Sequence, residues 1–142
     1  MKVFSFRLEQ ALRWRGTQVA AQQARIAGAA AQRSAIEALL ASARAEAVGG
    51  AADLIREPTG FPLSSYAAFS ARSRARICQL EADLAAAERA LAAERDLLVA
   101  ANRKLRLIEN LKQGAQQRWR HEFDRELAAF ADEAFLGASR AR

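Results

Sequence analysis

The sequence predicts an all-α fold in which two long helices form an antiparallel coiled-coil hairpin with a C-terminal helical overhang. Three observations carry this prediction. The 142 residues include 36 alanines against 25 leucines, isoleucines and valines combined, and alanine is the strongest helix former. Helix breakers cluster in one short segment, and apolar residues recur every seven positions on both sides of it. This composition is typical of coiled coils and excludes an all-β fold, a disulfide scaffold and a disordered tail.

The helix breakers lie between Gly49 and Pro62. The paired glycines at 49 and 50 are expected to end the first helix. The prolines then delay the second helix until Ser64 or Ser65 provides an N-cap. We therefore predict a single coiled-coil domain over 1–142, with helices at about 5–48 and 65–136 and a hinge at about 49–64.

Both helices carry an apolar stripe with a seven-residue repeat, which is the signature of a coiled coil. In the first helix the two sets of positions are Leu12, Val19, Ile26, Arg33 and Leu40, and Leu8, Arg15, Gln22, Ala29 and Ile36. In the second helix they are Ile77, Leu84, Leu91, Leu98 and Leu105, and Leu80, Ala87, Glu94, Ala101 and Ile108. The short break between the helices favours an antiparallel arrangement.

A hinge centred near residue 56 or 57 predicts which residues face each other. Ile36 would then lie opposite Ile77. The same register brings Arg15 and Glu94 into neighbouring layers with Gln22 close by, and these polar residues could pair and fix the alignment of the helices.

The second helix is predicted to extend beyond the part that the first helix can cover. This uncovered part, the overhang, continues an apolar stripe. The stripe consists of Ala115, Trp119, Phe123, Leu127, Phe130 and Ala134. An exposed apolar surface of that size usually marks a contact with another chain. The alternative is that the N-terminal segment 1–6 folds over part of it.

No catalytic, cofactor or metal site is expected. His121 is the only histidine and is flanked by charged residues, and Cys78 is the only cysteine. No phosphate-binding glycine loop occurs. No apolar stretch is long enough for a transmembrane helix, and charge near the N-terminus excludes a signal peptide. We expect a cytoplasmic protein that is not an enzyme and does not insert into a membrane.

The net charge of +6 is compatible with an acidic protein, nucleic acid or anionic lipid as partner. The basic residues between 103 and 125 are interspersed with acids, whereas a nucleic-acid helix usually concentrates its charge on one face. This mixture favours an acidic protein surface. Near the hinge, Phe61, Tyr66 and Phe69 could either seal the turn or contact a partner, and the sequence leaves both open.

The two ends of the chain resemble the flagellar export protein FliJ family. The opening stretch from Phe4 to Arg15 reads FSFRLEQALRWR, with the spaced phenylalanines, Leu-Glu and Leu-Arg-rich helix typical of that family. Towards the other end, Leu111-Lys112, Trp119, Arg125-Glu126 and Asp132-Glu133 are similar to the family's order of motifs.

The resemblance implies a cytoplasmic coiled-coil stalk of the flagellar type III export apparatus. Members of the family promote assembly of the export ATPase hexamer and connect it to the membrane-embedded export gate, and some bind the chaperones of export substrates. The residues implied at the ATPase are Phe4, Phe6, Leu8, Leu111, Trp119, Arg125 and Glu126. The basic and aromatic character of the overhang adds Arg118, Arg120 and Phe123 as candidate contacts, since Trp and Arg are enriched among interface hot spots. Those implied at the gate are Phe61, Tyr66 and Phe69. The alternatives are a stalk protein of a virulence-type secretion system and a basic, self-associating coiled coil that binds nucleic acid.

Overall fold

The computed structural model describes residues 3–56 and 62–140, and these form two long helices that pack against each other. Helix α1 spans Glu9–Ile55 and helix α2 spans Leu63–Arg140. No strand occurs in the described residues. The prediction of an all-α fold with two long helices is confirmed.

The predicted end of the first helix at 48 is wrong, because α1 continues through Gly49 and Gly50 to Ile55. Each helical glycine costs about 1 kcal/mol relative to alanine. Packing offsets part of that cost at Gly50, which lies directly against the Phe69 ring, so that a Cβ built there would stand 3.0 Å from Cε2. The absence of a side chain at this position is what lets the two helices approach so closely.

The predicted N-cap of the second helix is also wrong. Helix α2 begins at Leu63, and the carbonyl oxygen of Pro62 accepts hydrogen bonds from the backbone N–H groups of Ser65 (2.9 Å) and Tyr66 (3.4 Å). Pro62 therefore stands at the cap position, where the proline's missing N–H removes no hydrogen bond of the helix. At its other end α2 continues to Arg140, beyond the predicted end at 136.

The chain divides into two compact units, unit 1 (Met1–Ala20 with Val99–Arg142) and unit 2 (Ala21–Leu98). Each unit contains part of both helices. The prediction of a single coiled-coil domain over 1–142 stays a prediction.

In unit 2 the predicted heptad positions form the interface between the helices. Leu40, Ala43 and Leu91 are buried, and the other heptad residues of this unit are half-buried while their neighbours are mostly exposed. One polar residue is buried with them. The amide Nε2 of Gln22 donates to the carboxylate of Glu94 and, at 3.0 Å, to its backbone carbonyl oxygen.

Ion pairs line the edges of the interface in unit 2. The shortest joins Arg44 to Glu81 (2.7 Å), and another joins Glu46 to Arg76 (3.1 Å). A third connects Arg33 to Glu88 (3.4 Å). All six side chains are at least a third exposed, so each pair adds only a few tenths of a kcal/mol and mainly favours one alignment of the helices.

The predicted register is wrong by about one heptad. Ile77 lines a cleft with Ala47 and Ala51 instead of facing Ile36, and Glu94 pairs with Gln22. The cause is the extra length of α1. Because α1 ends at Ile55 and α2 begins at Leu63, the midpoint between the two helix ends is residue 59 instead of 56 or 57, which moves each partner along α2 by about five residues. A shift of seven residues preserves the stripe on each helix while changing every partner across it.

In unit 1 the start of α1 packs beside α2. The Nζ of Lys112 lies 2.8 Å from Oε2 of Glu9, the first residue of α1. Val19 is buried in this unit. The guanidinium of Arg15 lies over the neighbouring Trp14 ring, 4.7 Å from its centroid. Neither described helix contains a window apolar enough to cross a membrane.

Candidate partner-binding surfaces

Three aromatic side chains of unit 1 form a continuous cluster. The Trp119 and Phe123 rings stack with centroids 5.3 Å apart and planes at 29°. The Phe4 ring packs against Trp119 at a tilted angle, with centroids 5.9 Å apart and planes at 59°. Aromatic pairs at such offset and tilted geometries add about 0.5–1.5 kcal/mol beyond the area they bury. The cluster therefore ties the non-helical N-terminal segment to α2.

The sequence left open whether the N-terminal segment folds over part of the apolar stripe of the overhang. The N-terminal segment does fold over part of the overhang, and Phe4, Phe6, Trp119 and Phe123 are all half-buried. It covers only the beginning of the stripe. Further along α2, Leu127 is 47% exposed and Phe130 is 68% exposed. The overhang thus has a covered base and an open remainder.

The predicted site residues of α2 point in several directions around the helix. Trp119, Phe123 and Glu126 line one shallow groove. Arg118 and Arg125 line another, together with Gly114, Gln117, His121 and Glu122. Arg120 lies beside Asp124 in a third. No single flat partner could contact all of these residues.

Charge changes sign along this part of α2. The stretch 103–120 contains six basic residues and one acid, Glu109. The stretch 122–133 contains five acids and one basic residue, Arg125. All six of these latter charged side chains are exposed. This part of α2 is therefore basic as far as Arg120 and acidic beyond it, a change that the net charge of the whole chain conceals.

Two exposed apolar residues near the C-terminus fall outside the predicted stripe. Phe135 is 75% exposed and Leu136 is 59% exposed. Leu8 and Leu111, both implied by the resemblance, are exposed as well. Phe135 and Leu136 could have been identified from the sequence, since large apolar residues on a polar helix face are unusual. They were missed because they do not follow the spacing of the predicted stripe.

The hinge surface belongs to unit 2. Tyr66 and Phe69 line a cleft of about 100 Å³ with Ala47, Ala51 and Ile77. Phe69 also packs on Gly50 and is half-buried, while Leu63, the first residue of α2, is almost fully exposed. The third predicted residue of this surface, Phe61, lies outside the described residues. Phe69 thus takes part in sealing the helix ends, and Tyr66 stands at the edge of the cleft.

The remaining chemistry is sparse in the described part of the chain. Cys78 is a free, exposed thiol, and His121 is exposed beside Arg118. Within 3–56 and 62–140, no three His, Cys, Asp or Glu side chains come close enough together to hold a metal ion. Comparison with protein-family models, curated proteins and solved structures finds no match to this chain.

Proposed function

We propose that this chain is a non-catalytic, cytoplasmic stalk component of a flagellar type III export apparatus, with its helices arranged as an antiparallel coiled-coil hairpin. It would bind the export ATPase hexamer, promote its assembly and connect it to the export gate. The observation that carries the proposal is the overhang of α2, where α1 begins opposite Lys112 and α2 continues to Arg140. The resemblance of both chain ends to the flagellar export family supplies the identity of the partner.

Contacts within each unit support the antiparallel arrangement. In unit 2 the partners on α2 have falling residue numbers as the residues on α1 rise, from Gln22 with Glu94 to Glu46 with Arg76. In unit 1 the first residue of α1, Glu9, pairs with Lys112. Antiparallel helices joined by a short turn show this order.

The distribution of side chains around the overhang supports a ring as the partner. Arg118, Trp119 and Arg120 line three different grooves of α2, so a partner that contacts all of them must surround the helix. The lumen of a hexameric ATPase has that geometry. Tryptophan and arginine are also the residues most enriched among interface hot spots. The hinge surface with Tyr66 and Phe69 would then contact the export gate.

The proposal is tested by titrating the purified chain into the flagellar export ATPase of the same cell at physiological salt. Hydrolysis rate and hexamer formation are followed together. We expect stimulation that saturates at about one chain per hexamer, with ring assembly rising in parallel, because one stalk fills one lumen. No change in either quantity would contradict the proposal. Tight, steeply salt-dependent binding to DNA in its place would favour the nucleic-acid alternative.

A further inference from the structure

The interface between α1 and α2 shows how this chain covers an apolar stripe. Leu91 is only 5% exposed where α1 lies over it. Along the edges of the interface, ion pairs join the two helices, as in Arg44 with Glu81 and Arg76 with Glu46. In unit 1, Glu9 and Lys112 pair in the same way. A covering helix is thus apolar in the middle and complementary in charge at its edges.

The outer part of α2 has the same kind of stripe without a covering helix. Phe123, Leu127, Phe130 and Ala134, here called the distal stripe, follow one another at spacings of four, three and four residues. That spacing keeps them on one face of a helix. Leu127 and Phe130 are exposed, although they have the size and position of residues that α1 would bury. Phe4 covers the stripe only as far as the ring stack of Trp119 and Phe123.

The edges of the distal stripe are acidic. From the helical period, Glu126 and Glu133 lie along one edge and Asp124 lies along the other. All three side chains are exposed. Of the basic residues nearby, Arg120 stands at the start of the second edge, four residues before Asp124, and Arg125 lines the groove that contains His121. A helix that covers the stripe would therefore face carboxylates on both sides.

From these observations we infer that the distal stripe binds an amphipathic helix of a partner protein, with lysine or arginine flanking its apolar face. The partner's apolar residues contact Leu127 and Phe130, and its basic residues pair with Glu126, Glu133 and Asp124. Flanking charges of opposite sign determine which partner and which orientation a coiled coil accepts. The inference goes beyond the proposed function and does not depend on the partner being an export ATPase.

Other occupants fit the charges less well. A second copy of this chain would bring its own Glu126 and Glu133 to the same edges, and like charges there repel. DNA and anionic lipid are repelled by the acidic edges for the same reason. A basic helix is instead attracted by the same carboxylates that repel these occupants.

The test uses two synthetic helical peptides of 21 residues, with leucine at the a and d positions. One peptide has lysine at e and g and the other has glutamate there, so like charges hinder each from pairing with itself. Binding of the labelled peptides to the full chain is followed by fluorescence anisotropy at physiological salt. We expect the lysine peptide to bind at least about tenfold more tightly than the glutamate peptide, because several flanking pairs are attractive with lysine and repulsive with glutamate.

Three variants locate the binding. Phe130→Ala is expected to weaken lysine-peptide binding about tenfold or more. Phe135 is a similarly exposed aromatic residue off the stripe, so Phe135→Ala should leave binding unchanged. The double variant Glu126→Lys/Glu133→Lys should reverse the preference between the peptides. Circular dichroism confirms that each variant keeps its helix content.

Several results would overturn the inference. These are equal or tighter binding of the glutamate peptide, no binding of either peptide, and equal effects of Phe130→Ala and Phe135→Ala. A chain dimer in sedimentation that Phe130→Ala dissociates would show that a second copy occupies the stripe, and competition by a DNA duplex would show that nucleic acid does.

Discussion

Replacement of Trp119 by alanine is expected to weaken binding to the export ATPase about 30-fold or more and to leave the helix content nearly unchanged. Trp119 stands between Phe4 and Phe123 in the aromatic cluster at the base of the overhang. Truncation of a buried aromatic hot spot typically costs 2 kcal/mol or more of binding free energy, which is about 30-fold in affinity. Alanine is a strong helix former, so α2 itself should tolerate the change.

The chain offers a matched control for this variant. Trp14 is the other tryptophan and is 54% exposed on α1, with Arg15 stacked on its ring. Trp14→Ala should change ATPase affinity less than about threefold. Affinity is measured by calorimetric titration and helix content by circular dichroism at 222 nm. If Trp119→Ala lowered the helix content or the unfolding temperature as much as it lowered affinity, the cluster would be part of the folded core and not a partner-binding surface.

Replacement of Leu91 by alanine is expected to lower the free energy of unfolding by about 2–4 kcal/mol. Leu91 is the most thoroughly covered large residue of α2 at 5% exposure, so its truncation removes apolar contacts and leaves a cavity against α1. The measurement is urea unfolding followed by circular dichroism.

Leu97→Ala is the control for this second variant, because Leu97 is on the same helix and in the same unit but is 53% exposed. Its replacement should change the free energy of unfolding by no more than about 0.5 kcal/mol, as is usual for surface positions. Similar losses at 91 and 97 would mean that the two helices do not pack along the heptad positions described above.

The sequence was sufficient to predict the positions that face the partner helix. Ile77, Leu84 and Leu98 were identified from the seven-residue repeat and are half-buried, and Leu91 from the same set is buried. This succeeded because the period of side chains around a helix depends only on backbone geometry, which is the same in every α-helix. The repeat determines a face and does not by itself determine what lies opposite.

The register could not be predicted for that reason. Shifting one helix by seven residues returns every apolar residue to the interface, so the choice depends on the length of the turn and on a few polar pairs. The turn was misplaced because Gly49 and Gly50 were expected to stop α1, and their fit against Phe69 is a tertiary contact that local propensity does not contain. Glu94 then meets Gln22 in place of Arg15.

The candidate surface was partly visible in the sequence. Trp119, Phe123 and Phe130 were found from their spacing, but the position of Phe4 over Trp119 depends on a segment without regular structure, for which no period exists. The change of charge along the overhang was hidden for a different reason. When residues 103–125 are taken as one mixed basic cluster, the boundary between the basic stretch and the acidic stretch beyond Arg120 disappears.

The central claim is that the C-terminal part of α2 is the surface that binds the export ATPase. Site-specific photocross-linking tests it directly, with p-benzoylphenylalanine placed at Phe130 in one sample and at Tyr66 in another, each in the full chain mixed with the ATPase. We expect a covalent product with the ATPase subunit from position 130 and none from position 66. A product from position 66 alone, or only chain-to-chain products from position 130, would contradict the claim.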